Sequence, residues 1–209
     1  MKRLAIIGAS GHGKVVAEIA ELNGWSEIKF YDDDSQKKKI NTWEVKGDIE
    51  TFLSDMDYFN GFFVAIGNNQ IRQEKTEYIL SKGVQNLISL KHPSAVLSKY
   101  SKIGIGTILM AGVAVNSMSK IGMSAIINTN SIIEHDNIIE DYVHVSPGVS
   151  IAGGVFIGTH SWIGIGSSIK QNLVIGANTI IGAGSVVVKN VDQNNTVFGV
   201  PAKPYIKKC

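Results

Sequence analysis

The second half of the chain carries a single hydrophobic pattern from end to end. Every sixth residue from Leu97 to Val187 is aliphatic: Leu97, Ile103, Leu109, Val115, Ile121, Ile127, Ile133, Ile139, Val145, Ile151, Ile157, Ile163, Ile169, Ile175, Ile181 and Val187, sixteen positions without a slip. Four residues after most of these stands something small or β-branched, such as Thr107, Val113, Ala125, Ser131, Ser161 or Thr179, with Asn137 and Leu173 as larger exceptions. Glycine often follows the aliphatic directly, where a corner tolerates little bulk. A helix needs apolar residues 3.6 apart, and a period of six rotates around it without making a face. Short strands joined by turns and wound as a prism place every sixth residue inside, and stacked coils then pair edge to edge. The pattern predicts a hexapeptide β-solenoid.

Residues 1–90 have a different texture. Runs of apolar residues predict strands over 2–8, 28–31, 62–67 and 84–88, and helical spacing predicts helices over 14–23 and 70–81. Alternating β and α elements imply a small parallel sheet with helices on its faces. The chain thus divides into a Rossmann-like domain over 1–90 and a repeat domain over 91–209. The turn Gly8-Ala9-Ser10-Gly11-His12-Gly13-Lys14 opens a helix, so its backbone N–H groups suit a phosphate. It is not a P-loop for a triphosphate, because Val15 has no hydroxyl to hold Mg²⁺. Ninety residues are also too few for the two halves that grip a dinucleotide. Half of such a fold suits a mononucleotide or nucleotide sugar. Gly8, Ser10, Gly11, His12 and Gly67 are the candidate contacts, with Asp32 and Asp33 at the end of the second strand, where an acid meets a ribose or base. The polar stretch 34–42 that follows reads as a mobile loop.

Composition narrows the partners. With 20 Lys+Arg against 18 Asp+Glu there is no basic stripe for nucleic acid and no polybasic arm for a membrane. No apolar run approaches the roughly 18 residues of a spanning helix. The lone cysteine, Cys209, excludes an intrachain disulfide and is too peripheral for a nucleophile, which fits a reducing, cytoplasmic setting. The histidines lack metal-ligand spacing, so no metal is expected.

Chemistry resides in the polar residues that interrupt the repeat. His135 stands outside the inward slot between two acids, Glu134 and Asp136. A carboxylate bonded to one ring nitrogen fixes the tautomer and raises the basicity of the other, which suits a general base. Side chains of adjacent strand residues point to opposite faces, so the orienting acid needs a backbone bend or another coil. Gly153, Gly164-Ile165 and Ala183 are small positions that suit the narrow arm of a ligand, and Lys203 offers a point charge for a phosphate. Trp162 interrupts the small polar residues at an outer position and fits either core burial or a contact with another chain. His160 has no acidic neighbours and reads as a surface residue.

Taken together, Ile6-Ile7-Gly8-Ala9-Ser10-Gly11-His12-Gly13, Asp32-Asp33, Lys91-His92-Pro93-Ser94-Ala95, Ile133-Glu134-His135-Asp136 and Val197-Phe198-Gly199-Val200-Pro201-Ala202-Lys203 resemble the NeuD/PglD family of sugar acyltransferases. The resemblance covers essentially the whole chain. It implies a Rossmann-like α/β domain that holds a nucleotide sugar, followed by a left-handed parallel β-helix of 18-residue coils that binds acetyl-CoA. Ninety residues of repeat then give about five coils, roughly 24 Å of prism at ~4.8 Å per strand. The resemblance also implies a homotrimer with active sites between prisms, Asp136 rather than Glu134 as the partner of His135, and His12 on the substrate phosphates. For His144 it implies a place at the thioester, whereas the residue alone fits a surface turn equally well. The activity implied is N-acetylation of a nucleotide-linked 4-amino-4,6-dideoxy sugar. O-acetylation of a sialic acid and a non-catalytic sugar-nucleotide scaffold are the rivals.

Overall fold

The computed structural model describes residues 1–205 of the 209-residue chain. The predicted role of Cys209 therefore lies outside the described residues. Two compact units divide between Pro93 and Ser94.

In the first unit, β1 (Arg3–Ile7), β2 (Glu27–Tyr31), β4 (Trp43–Gly47) and β5 (Gly61–Val64) form a parallel sheet, and β3 (Lys39–Ile40) is added antiparallel at its edge. The strand order is β3-β4-β2-β1-β5. Three helices accompany it: α1 (Gly11–Leu22), α2 (Ile49–Asp55) and α3 (Asn69–Ser81). β1 and β5 read as unbroken apolar runs because parallel strands under helices are covered on both faces. One side of the sheet is filled by Tyr31, Phe52, Phe59 and Phe62, whose rings meet at tilted or edge-on angles.

Two expectations fail in this unit. Residues 84–88 form no strand of their own; they pair with the sheet at a Phe62–Leu87 bridge, and Val84 and Leu87 pack into its core. Stretch 34–42 is not loose: Lys37 bonds both Asp32 oxygens at 3.0 Å, the Asp34 amide donates to Asp32 Oδ1 at 3.0 Å, and Lys39–Ile40 pairs with β4.

The second unit is a prism of two-residue strands. Each predicted aliphatic from Leu97 to Val187 is the second residue of such a strand, and partners lie 18 residues apart, as in Val115↔Ile133 and Ile133↔Ile151. The sheets are parallel, and the coil is the left-handed β-helix. Slots from Leu109 to Val187 are at most a few per cent exposed, and each fully buried aliphatic side chain contributes about 2 kcal/mol. The small residue four places on has a second task that size alone does not reveal. Ser119, Ser131, Ser161 and Ser167 are fully buried, and each hydroxyl donates to a carbonyl of the next coil at 2.6–3.0 Å. Asn137 does similar work, donating to the Glu134 carbonyl at 2.6 Å and accepting from the Val155 amide at 2.8 Å. Buried polar atoms in a solenoid require such partners.

Candidate active site

In the first unit, a cavity of about 240 Å³ opens at the carboxyl ends of the strands, which is where ligands of open α/β sheets bind. The structure brings Gly8, Ser10, Asp32, Asp33 and Gly67 together on its wall, and adds Lys75 from α3. Gly8 has φ +108°, and a Cβ there would stand 2.9 Å from the Ala65 carbonyl oxygen, so the chain can turn only with glycine. Gly11 and His12 are the first two residues of α1 and do not line the cavity.

The two aspartates differ. Asp32 accepts from the Ala9 amide at 2.7 Å, and its other oxygen is taken by Asp34 and Lys37. Burial raises its pKa, but these bonds outweigh it and hold the carboxyl below the usual carboxylate range. Asp32 is thus engaged in closing its own turn. Asp33 is 57% exposed, with Lys75 Nζ 2.6 Å from Oδ2, and is the acid left accessible at the mouth. Lys75 had no signature in the sequence, because it lies on a mostly polar helix far along the chain.

In the second unit His135 and Asp136 occupy the turn between Ile132–Ile133 and Ile138–Ile139. Asp136 adopts φ +60°, a left-handed bend that folds its side chain back along the strand it has just left. Adjacent residues therefore do meet: His135 Nδ1 and Asp136 Oδ2 are 2.7 Å apart, with both side chains more than 60% exposed. The bond fixes Nδ1 and leaves Nε2 as the reactive atom. Glu134 is engaged elsewhere, accepting from the Asn116 amide at 2.9 Å.

Gly153 lies one coil above His135 and does not line the groove of its own chain. A Cβ there would stand 2.5 Å from the ring's Cε1 and 2.7 Å from Nε2. The glycine is the seat of the imidazole. Because the ring is the free end of an exposed side chain, Gly153→Ala swings it off Asp136 without disturbing the coil. The expected result is a thermal midpoint within a degree or so of the parent and a kcat lower by about a hundredfold, read by calorimetry and steady-state assay.

A groove runs along the next edge of the prism. His144, Gly164, Ile165 and Ala183 line it together, with Trp162 and Ile180 exposed beside them. His144 is 8% exposed, and Asn128 Nδ2 lies 3.4 Å from its Nε2. Trp162 is not a core residue; its indole faces the groove wall 4.3 Å from the His144 ring. Gly164 is explained by packing, since a Cβ there would meet the Ile181 carbonyl oxygen at 2.6 Å. Lys203 is exposed in the strand Lys203–Pro204, opposite Phe198, and does not line the groove. His160 is half-buried rather than a bare surface residue, with its ring parallel to Tyr142 at 5.6 Å.

His135 and the groove lie on different edges of the prism. Thr129 and Asn130 stand on the groove's edge in the coil of His135, six residues before it, which is roughly 20 Å of extended chain. One whole sheet, carrying Ile132, Ser150 and Ser168 outward, lies between them. Among the described residues no group of His, Cys, Asp and Glu is placed to hold a metal, and no helix is long and apolar enough to cross a membrane.

Known proteins share this arrangement. Residues 3–79 match the PglD N-terminal domain family, and residues 154–189 match the bacterial transferase hexapeptide family of six repeats. UDP-N-acetylbacillosamine N-acetyltransferase of Bacillus subtilis is 38% identical over 116 residues, 53% of this chain and 52% of that one. GDP-perosamine N-acetyltransferase of Escherichia coli O157:H7 is 36% identical over 128 residues, 58% and 57% of the two chains. The chain thus spans about half the length of these curated relatives. Solved structures match throughout. A histidine-to-asparagine variant of Caulobacter crescentus perosamine N-acetyltransferase, in complex with CoA and GDP-perosamine, has a TM-score of 0.95 at 35% identity, over 99% of this chain and 98% of that one. The acetyltransferase domain of PglB from Neisseria gonorrhoeae FA1090, in complex with acetyl coenzyme A, gives 0.93 at 38%, over 98% and 99%.

An α/β unit of the PglD N-terminal type and a hexapeptide prism that carries a histidine–aspartate pair are the two parts of a hexapeptide-repeat acyltransferase, the class to which these matches assign the chain. Within that class the chain belongs to the NeuD/PglD-type sugar acyltransferase family.

Proposed function

We propose that this protein is a homotrimeric, cytoplasmic N-acetyltransferase that moves the acetyl group of acetyl-CoA onto the amine of a nucleotide-linked 4-amino-4,6-dideoxy sugar. The observation that carries the reading is the His135 Nδ1–Asp136 Oδ2 bond of 2.7 Å, which leaves Nε2 facing outward. The first unit holds the nucleotide handle, with Asp33 at the ribose or base and the amides of Gly11 and His12, at the open end of α1, toward phosphate. The groove's Ile165, Ile180 and Trp162 suit the apolar pantetheine arm.

The chemistry is direct transfer. As the sugar amine forms its bond to the thioester carbonyl carbon, His135 Nε2 takes a proton from it. Asp136 steadies the ring while it is charged, and a donor at His144 meets the oxyanion. The carbon–sulfur bond then breaks, and His135 returns the proton to the departing thiolate. Because the imidazole stands a prism face away from its own groove, it serves the groove of a neighbouring chain, and three-fold closure gives each groove one such histidine.

The test is release of free thiol from acetyl-CoA in the presence of GDP-, UDP- or dTDP-linked 4-amino sugars and, separately, sialic acid. The reading expects thiol only with a nucleotide-linked amino sugar. Thiol with sialic acid alone would make the enzyme an O-acetyltransferase, and sugar-nucleotide binding without any thiol would make it a scaffold.

A further inference from the structure

We infer that Trp162 is a positioning residue for acyl transfer: it holds the His144 imidazole in one orientation toward the thioester. This rests on the acetyl-transfer reading above. In-register pairing along the sheet stacks Ile126, His144, Trp162 and Ile180 at equivalent outward positions. An imidazole on a two-residue strand has two rotatable bonds and needs walls to keep one setting. His144 has them. On one side the Asn128 amide lies 3.4 Å from Nε2, and on the other the indole of Trp162 covers the ring at 4.3 Å with 35° between planes. In the tautomer in which the Asn128 amide donates to Nε2, the ring's proton is carried on Nδ1.

The indole is itself fixed. Its Nε1–H donates to Ser146 Oγ at 2.9 Å. Ser146 is 5% exposed and belongs to the rigid coil, because its carbonyl accepts from Ser131 at 2.9 Å and its amide donates to Ile163 at 2.9 Å. The order of support runs from coil to Ser146, to Trp162, to His144.

The test uses the full chain with Trp162→Ala, Trp162→Phe and Ser146→Ala, assayed for kcat and KM with acetyl-CoA and an accepted amino-sugar nucleotide, and for acetyl-CoA binding by calorimetry. Trp162→Ala is expected to lower kcat about a hundredfold, the scale of a misplaced catalytic group, with the acetyl-CoA Kd changed only a few-fold. Trp162→Phe keeps a flat wall but loses the anchor and falls between, and Ser146→Ala moves the same way with Trp162 intact. A parent-like kcat in all three, with a weakened acetyl-CoA Kd in Trp162→Ala, would make the indole a mere groove wall and overturn the inference. Should Trp162→Ala not fold, the two milder variants decide. Absence of turnover in the parent protein would overturn the underlying reading, and this inference with it.

Discussion

Replacing His135 with alanine lowers kcat for acetyl transfer by about a hundred- to ten-thousandfold, the contribution of a positioned general base. Acetyl-CoA and the nucleotide sugar still bind, as calorimetry on the variant would record, because within its own chain the ring lines neither the groove nor the cavity of the first unit. The side chain is mostly exposed and packs in no core, so the thermal midpoint stays close to the parent's. Asp136→Asn is expected to be milder. It keeps a residue that tolerates the left-handed backbone, but it offers Nδ1–H an amide where a carboxylate had stood to balance the imidazolium. The order of kcat is therefore parent, Asp136→Asn, His135→Ala. Turnover by His135→Ala at the parent rate would remove the base from the mechanism.

The prism was legible in the sequence because its physics is one-dimensional. A slot that must be filled by an aliphatic every sixth residue leaves its mark in the composition, and all sixteen slots fall where the strands lie. What strand logic hid was the site's fine geometry. Adjacent residues in a strand diverge, so the contact between His135 and Asp136 depends on a single backbone angle at Asp136 that residue types do not announce. Gly153 was indistinguishable from glycines that merely turn corners, since its meaning comes from the coil below it. Trp162 and its hold on His144 likewise depend on an 18-residue register between chain-distant positions.

In the first unit β1, β2, β5, α1 and α3 were readable from apolar runs and helical spacing. The segment with β3, β4 and α2 was not: β3 has two residues and α2 seven, and β4, though Trp43 and Val45 alternate with Glu44 and Lys46 as a half-buried strand should, is only five residues long. Asp32 and Asp33 looked alike in sequence. Only the bonds from Ala9, Asp34 and Lys37 separate the turn-closing acid from the accessible one.

The central claim is that the base and the groove of one active site come from different chains. Two inactive variants test it when co-expressed with different affinity tags. His135→Ala lacks the base, and Ala183→Trp fills the groove at an exposed position that leaves the coil undisturbed. In a trimer that holds both variants, whichever is present twice, about a third of the sites pair an intact groove with an intact neighbouring histidine. The account predicts thiol release at about a third of the parent rate from doubly tagged oligomers, with each variant alone nearly inactive. Mixed oligomers no more active than the two variants apart would contradict it.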